Sequence, residues 1–136
     1  MSSPDLELQG ALLTRLTNFA DLSALVGARI YDEPEDGAVY PYVTLGESQL
    51  LNDDMTCRRA WRAYLTLHAW SQKTGYPEVK QVAAAVADAL HLASLPMQHF
   101  RVAIITHSQT RAFRDADGAT SHAVITFDAR VEAIPA

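Results

Sequence analysis

Trp61-Arg62-Ala63-Tyr64-Leu65-Thr66-Leu67-His68-Ala69-Trp70-Ser71 is the stretch that decides the fold. Successive side chains of a strand point to opposite faces. Trp61, Ala63, Leu65, Leu67 and Ala69 therefore fall on one face, and Arg62, Tyr64, Thr66, His68 and Trp70 on the other. The first set is a core face. The second is not plainly a solvent face, because Tyr64 and Trp70 stand among its polar residues, so part of it is expected to be covered.

A second alternating stretch occupies residues 121–133. Ala123, Ile125, Phe127, Ala129 and Val131 alternate with Thr126, Asp128, Arg130 and Glu132, the pattern of a half-buried antiparallel strand. Residues 101–113 read as its hairpin partner. Asp115-Ala116-Asp117-Gly118 between them is a turn, with glycine available for positive φ. Residues 42–47 form a further strand with Val43 and Leu45 on one face, and Ile30-Tyr31 a short one. Residues 32–41 and 50–57 read as connections, rich in Pro, Gly and acids or in Asn and Asp.

Two segments carry helical periodicity. Ser3 before Pro4 is an N-cap followed by proline in the first turn. Leu8, Ala11, Leu12 and Leu16 then form one stripe, placing a helix over residues 4–19. Tyr76-Pro77-Glu78 opens another that runs to about residue 92, with Val79, Val82, Ala83, Val86 and Leu90 as its apolar stripe. Asp21 is expected to cap a short turn that Gly27 ends. The order is helix, strands, helix, strands. It predicts an α+β fold: an antiparallel or mixed β-sheet with two main α-helices packed on one face. The 136 residues contain no linker or repeat and fit one domain.

Composition narrows the function. The net charge of −5 argues against a dedicated nucleic-acid binder, which needs a basic patch. The single cysteine, Cys57, leaves no internal disulfide and fits a reducing compartment. No apolar run approaches the ~18 residues of a membrane span, and no secretory leader is expected.

No catalytic signature is found. The sequence lacks a Gly-x-Ser-x-Gly elbow and a Gly-rich phosphate loop. Cys57 has no activating base in its neighbourhood, and Asp53 and Asp54 lie in a loop without an apolar pocket. Asp115–Gly118 lacks the acid that a calcium loop needs at its twelfth position. His68, His107 and His122 would share a sheet face if their strands are adjacent, giving a small metal-dependent enzyme as one alternative. The polar-strand reading is preferred, with no catalytic residue, metal or cofactor. Tyr40, Tyr42, Tyr64 and Trp70 are instead of the residue types enriched in interface cores. Arg58, Arg59, Arg62, Tyr64 and Trp70 form the candidate subunit interface.

Several segments, in this order, resemble a known family. They are Leu6-x-Leu8-Gln9-x-Ala11-Leu12, Leu25-Val26-Gly27-Ala28-Arg29-Ile30-Tyr31-Asp32, Pro41-Tyr42-Val43-Thr44-Leu45-Gly46, Leu67-His68-Ala69-Trp70-Ser71, the alanine-rich helix, and Arg114-Asp115-x-Asp117-Gly118 with His122 after it. Residues 51–60 depart from the pattern. The chain resembles the tail-completion, or tail-terminator, proteins of long-tailed bacteriophages, prophages and gene transfer agents, similar in fold to the lambda tail terminator. The resemblance implies a structural virion protein made in the bacterial cytoplasm that acts at the head-tail junction. It implies a homo-oligomer, a hexameric ring capping the head-proximal end of the tail tube. One face would meet the major tail tube protein and the other the head-closure (stopper) protein of the connector. DNA would pass through the lumen without specific binding. A small bacterial adaptor that binds one partner through its sheet edge is the other alternative.

Overall fold

The computed structural model describes residues 3–135. Helix α1 (Pro4–Thr17) begins where Ser3 accepts a hydrogen bond from the Leu6 amide at 3.1 Å, as the cap signal predicts. Helix α2 (Ala20–Val26) follows. Its N-cap is Phe19, with no side-chain cap. Asp21, expected to cap, lies inside the first turn, where its charge still favours the helix N-terminus. Gly27 ends α2 at φ +60°.

Strand β1 (Ile30–Tyr31) runs parallel to β2 (Tyr42–Asn52), which pairs antiparallel with β3 (Ala60–Ser71). Leu50, Leu51 and Asn52 belong to β2 and not to the connection the sequence implied. Their ladder with Ala63, Arg62 and Trp61 outweighs the turn preference of Asn52. Helix α3 (Pro77–Leu90) then leads to β4 (Phe100–Arg114) and β5 (Ser121–Ala133). The sheet order is β1-β2-β3-β5-β4, so β5 inserts between β3 and β4. All pairings except β1–β2 are antiparallel, which gives the mixed α+β sheet that was expected.

The core lies between the helices and one face of the sheet. Leu8, Leu12 and Leu16 of α1 meet Val79, Val82, Val86 and Leu90 of α3 in one buried cluster. The same cluster contains Ala63, Leu65, Leu67 and Ala69 of β3 and Ile125, Phe127, Ala129 and Val131 of β5. The Arg15 side chain donates to the Ala89 carbonyl at 2.7 Å, tying α1 to the C-terminal end of α3. That geometry suits a cation at a helix C-terminus. Glu7 accepts from the Gln98 and His99 amides and pairs with the His99 ring, which fixes α1 to the entry of β4. These amides hold the Glu7 carboxyl below its usual range.

Candidate subunit-contact surface

The helices leave the other sheet face uncovered, and its residues fall into two groups at opposite ends of the strands. At the end where β2 begins, aromatic rings cross the sheet. Tyr42 contacts Tyr31, Tyr40 and Trp70, with ring centroids 5.7, 4.9 and 6.3 Å away. Trp70 stacks on His122 at 3.8 Å, and Phe113 of β4 closes the row at 4.8 Å from His122. The row follows from register: Tyr42 is opposite Trp70, Trp70 opposite His122, and His122 opposite Phe113. The indole NH of Trp70 donates to Thr44 Oγ1 at 3.1 Å. Burial, then the neighbouring Tyr40, pushes the Tyr42 phenol up to about 12.

His68 lies one row further in. It contacts His122 through a single shared hydrogen bond of 2.7 Å between Nδ1 and Nε2. Burial holds both imidazoles below their usual value, and for His122 the neighbouring His68 adds to the effect. The third histidine of the alternative cluster, His107, is absent from this pair. It is opposite Phe127, a core residue of β5, and its ring bonds Thr110 on the helix side. A bulge between His107 and Gln109 inserts one residue into β4 and reverses the facing of the residues before it, until a second bulge between Val102 and Ile104 restores it. The three-histidine cluster therefore does not form. Among the described residues, no group of three or more His, Cys, Asp or Glu side chains is placed to hold a metal.

At the other end the face is charged. Glu132, expected to face solvent from its place in the alternation, is only 6% exposed. Arg101 donates to it from Nε and Nη2 at 3.0 and 2.7 Å, Arg58 at 3.1 Å and Arg130 at 3.2 Å. Three guanidinium groups can satisfy a carboxylate that would otherwise be costly to bury. Arg101 first, then Arg130 and Arg58, hold its carboxyl below the usual range against the opposing effect of burial. Arg130 also pairs with Asp53. The alternation of β5 places Arg130 and Glu132 together, but only the pairing with β4 brings Arg101 beside them.

The five predicted interface residues do not form one patch. Arg62, Tyr64 and Trp70 share the helix-free face, but Trp70 lies about 20 Å along the strand from Tyr64. Tyr64 is 37% exposed. Arg58 is committed to Glu132. Arg59 pairs with Asp54 and lies 4.9 Å over the ring of Trp61, a residue of the opposite face. Arg62 makes no ion pair among the described residues. Cys57 is free and exposed in the connection after β2. Among the described residues, no helix is long and apolar enough to cross a membrane.

The arrangement offers stacking, guanidinium and apolar contacts on an open sheet face. Among the described residues, no nucleophile is paired with a base there. Comparison with known proteins gives that surface a context. No curated protein sequence matches the chain. A chain in the virion of a native gene transfer agent (GTA) particle is 27% identical, with a TM-score of 0.89 over 97% of this chain and 99% of that one. The gp17 protein of bacteriophage SPP1 is 22% identical, with a TM-score of 0.57 over 96% of this chain and 90% of that one, a likeness of fold. The model of the family described as tail completion protein gp17 matches residues 10–132, and the chain belongs to that family.

Proposed function

We propose that this tail completion protein is a structural subunit that caps the head-proximal end of a tail tube as a hexameric ring. In this role it ends tail polymerisation and joins the tail to the head connector. The observation that carries the reading is the family match across residues 10–132. Its agreement along nearly the whole chain with a component of a GTA virion adds support. The ring contacts the major tail tube protein on one side and the head-closure protein on the other, and DNA crosses its lumen without specific binding. A ring closes through heterologous contacts, so each subunit needs two different surfaces. The helix-free face, with Arg62 and Tyr64 at one end and Trp70 at the other, belongs to one of them. The role is assembly and not catalysis.

Deletion of the gene tests this reading by electron microscopy of the particles. Tails of abnormal length, or tails detached from heads, are expected. Particles with normal, joined tails would overturn it.

A further inference from the structure

Two opposite corners of this chain carry charge of opposite sign. On the helix-free face Arg62 and Arg130 are direct cross-strand partners. Like charges facing each other in a ladder repel. Asp53 and Glu132 answer Arg130, while Arg62 has no ion pair among the described residues. Arg58 and Arg101 crowd around the same Glu132, and the Arg101 side chain is 59% exposed. Arg58, Arg101 and Arg130 share Asp53 and Glu132, and with Asp128 in the next row of the same face the four arginines stand beside three carboxylates, which leaves surplus positive charge at one corner of a chain whose net charge is −5. Leu51 and Ile104, 45% and 50% exposed, flank the Arg62–Arg130 pair in the same row.

The opposite charge sits in the loop between β1 and β2. Asp32, Glu33, Glu35 and Asp36 are all exposed, and none makes an ion pair among the described residues. Asp32 accepts one hydrogen bond from Gln9, and Arg29, the nearest cation in the sequence, is turned to the Pro41 carbonyl. Val39, 64% exposed, adds an apolar residue to the loop. The loop joins β2 at Tyr42, whereas Arg62 pairs with Leu51 near the far end of the same strand, about 30 Å away. The two surplus charges cannot meet within one subunit.

We propose that the acidic loop of residues 32–36 docks on the arginine corner of a second copy of this chain, with Arg62 and Arg101 receiving its carboxylates. The guanidinium fork matches a carboxylate in two-point geometry. Val39 meets the apolar rim of Leu51 and Ile104. The contact joins two different surfaces, as a head-to-tail ring requires. It rests on the proposed ring and supplies a specific partner for Arg62.

A charge swap tests the contact in cells that make the particle with only the variant subunit. Arg62→Glu alone, and Glu33→Arg with Glu35→Arg alone, are each expected to lower the yield of tails joined to heads about tenfold, the scale of one good charge pair. All three combined are expected to restore it to within about threefold of wild type. The substituted side chains are exposed, and thermal unfolding of the purified variants verifies their fold. Arg62→Gln, which removes the charge without reversing it, tests the single loss should the reversal destabilise the protein. Single variants without effect would overturn the proposal. So would a combination no better than its worse parent, which would assign the arginines to another anion such as DNA phosphate, since reversing the loop cannot restore that contact. Counting subunits at the junction separates the two levels. A single copy refutes the ring itself, and several copies without rescue refute only this contact.

Discussion

His68 and His122 are diagonal neighbours across β3 and β5, joined by one 2.7 Å hydrogen bond between Nδ1 and Nε2. One ring must donate and the other accept, so the two rings cannot both be protonated while this bond is kept. Trp70 stacks against both imidazoles, and Phe113 closes over His122. Glu47 and Asp115 pull their titration upward and Arg111 pulls that of His122 down, but burial dominates both.

The pair makes stability depend on pH near neutrality. In the unfolded chain each imidazole takes up a proton near pH ~6.5, whereas in the fold burial delays it. The contribution is therefore complete above that pH and declines as the pH falls below it. Urea unfolding at about pH 7.5 and about pH 5.5 should show a loss in wild type that is smaller in His122→Gln. Equal losses in both proteins would remove the pair as the cause.

Gly46 is required by close approach. A Cβ there would lie 2.6 Å from His68 Nε2 and 2.8 Å from the Thr66 carbonyl oxygen, beside the β2 bulge. Gly46→Ala should cost about 1–3 kcal/mol, because the backbone contact cannot be relieved by moving a side chain. An unchanged melting temperature would contradict this.

Val82 is fully buried on the stripe of α3. Val82→Asp places an unpaired carboxylate in that core and should cost upwards of about 4 kcal/mol, enough to unfold a domain of ordinary stability. Circular dichroism would show loss of the native signal, and retention of a cooperative native transition would refute the assignment.

The β4–β5 turn relies on Gly118 at φ +72° and on Asp117, which accepts from the Ala119 and Thr120 amides and the Thr120 hydroxyl. Gly118→Val forces a β-branched residue into the left-handed region and should lower stability by about 1–2 kcal/mol. Thermal denaturation measures it, and no shift would mean the turn rearranges freely.

Glu132→Gln should be destabilising at neutral pH, because three arginines lose their shared carboxylate. The wild-type carboxyl is held below its ordinary range, so its contribution is present above about pH 4.3 and is lost as the pH falls further. The gap between variant and wild type should therefore narrow in acid. A gap constant with pH would show that the charge is not what matters.

The residues of β3 and β5 alternate strictly, and those of α1 and α3 recur at helical spacing. From these local periods alone the sequence determined an α+β sheet with its helices on one face, the core stripe through Val82, and the glycine turn at Gly118. Local periods carry this information because they reflect which face of each element is buried. Tertiary structure decided what depends on the register of distant strands. The β4 bulge turned His107 away from His68 and His122, and the pairing of β4 with β5 brought Arg101 to Glu132. It also separated Trp70 from Arg58 and Arg59, because adjacency in sequence along a strand becomes distance in space. A bulge or a buried carboxylate exists only once a partner strand is in place, so neither leaves a period that a single segment could display.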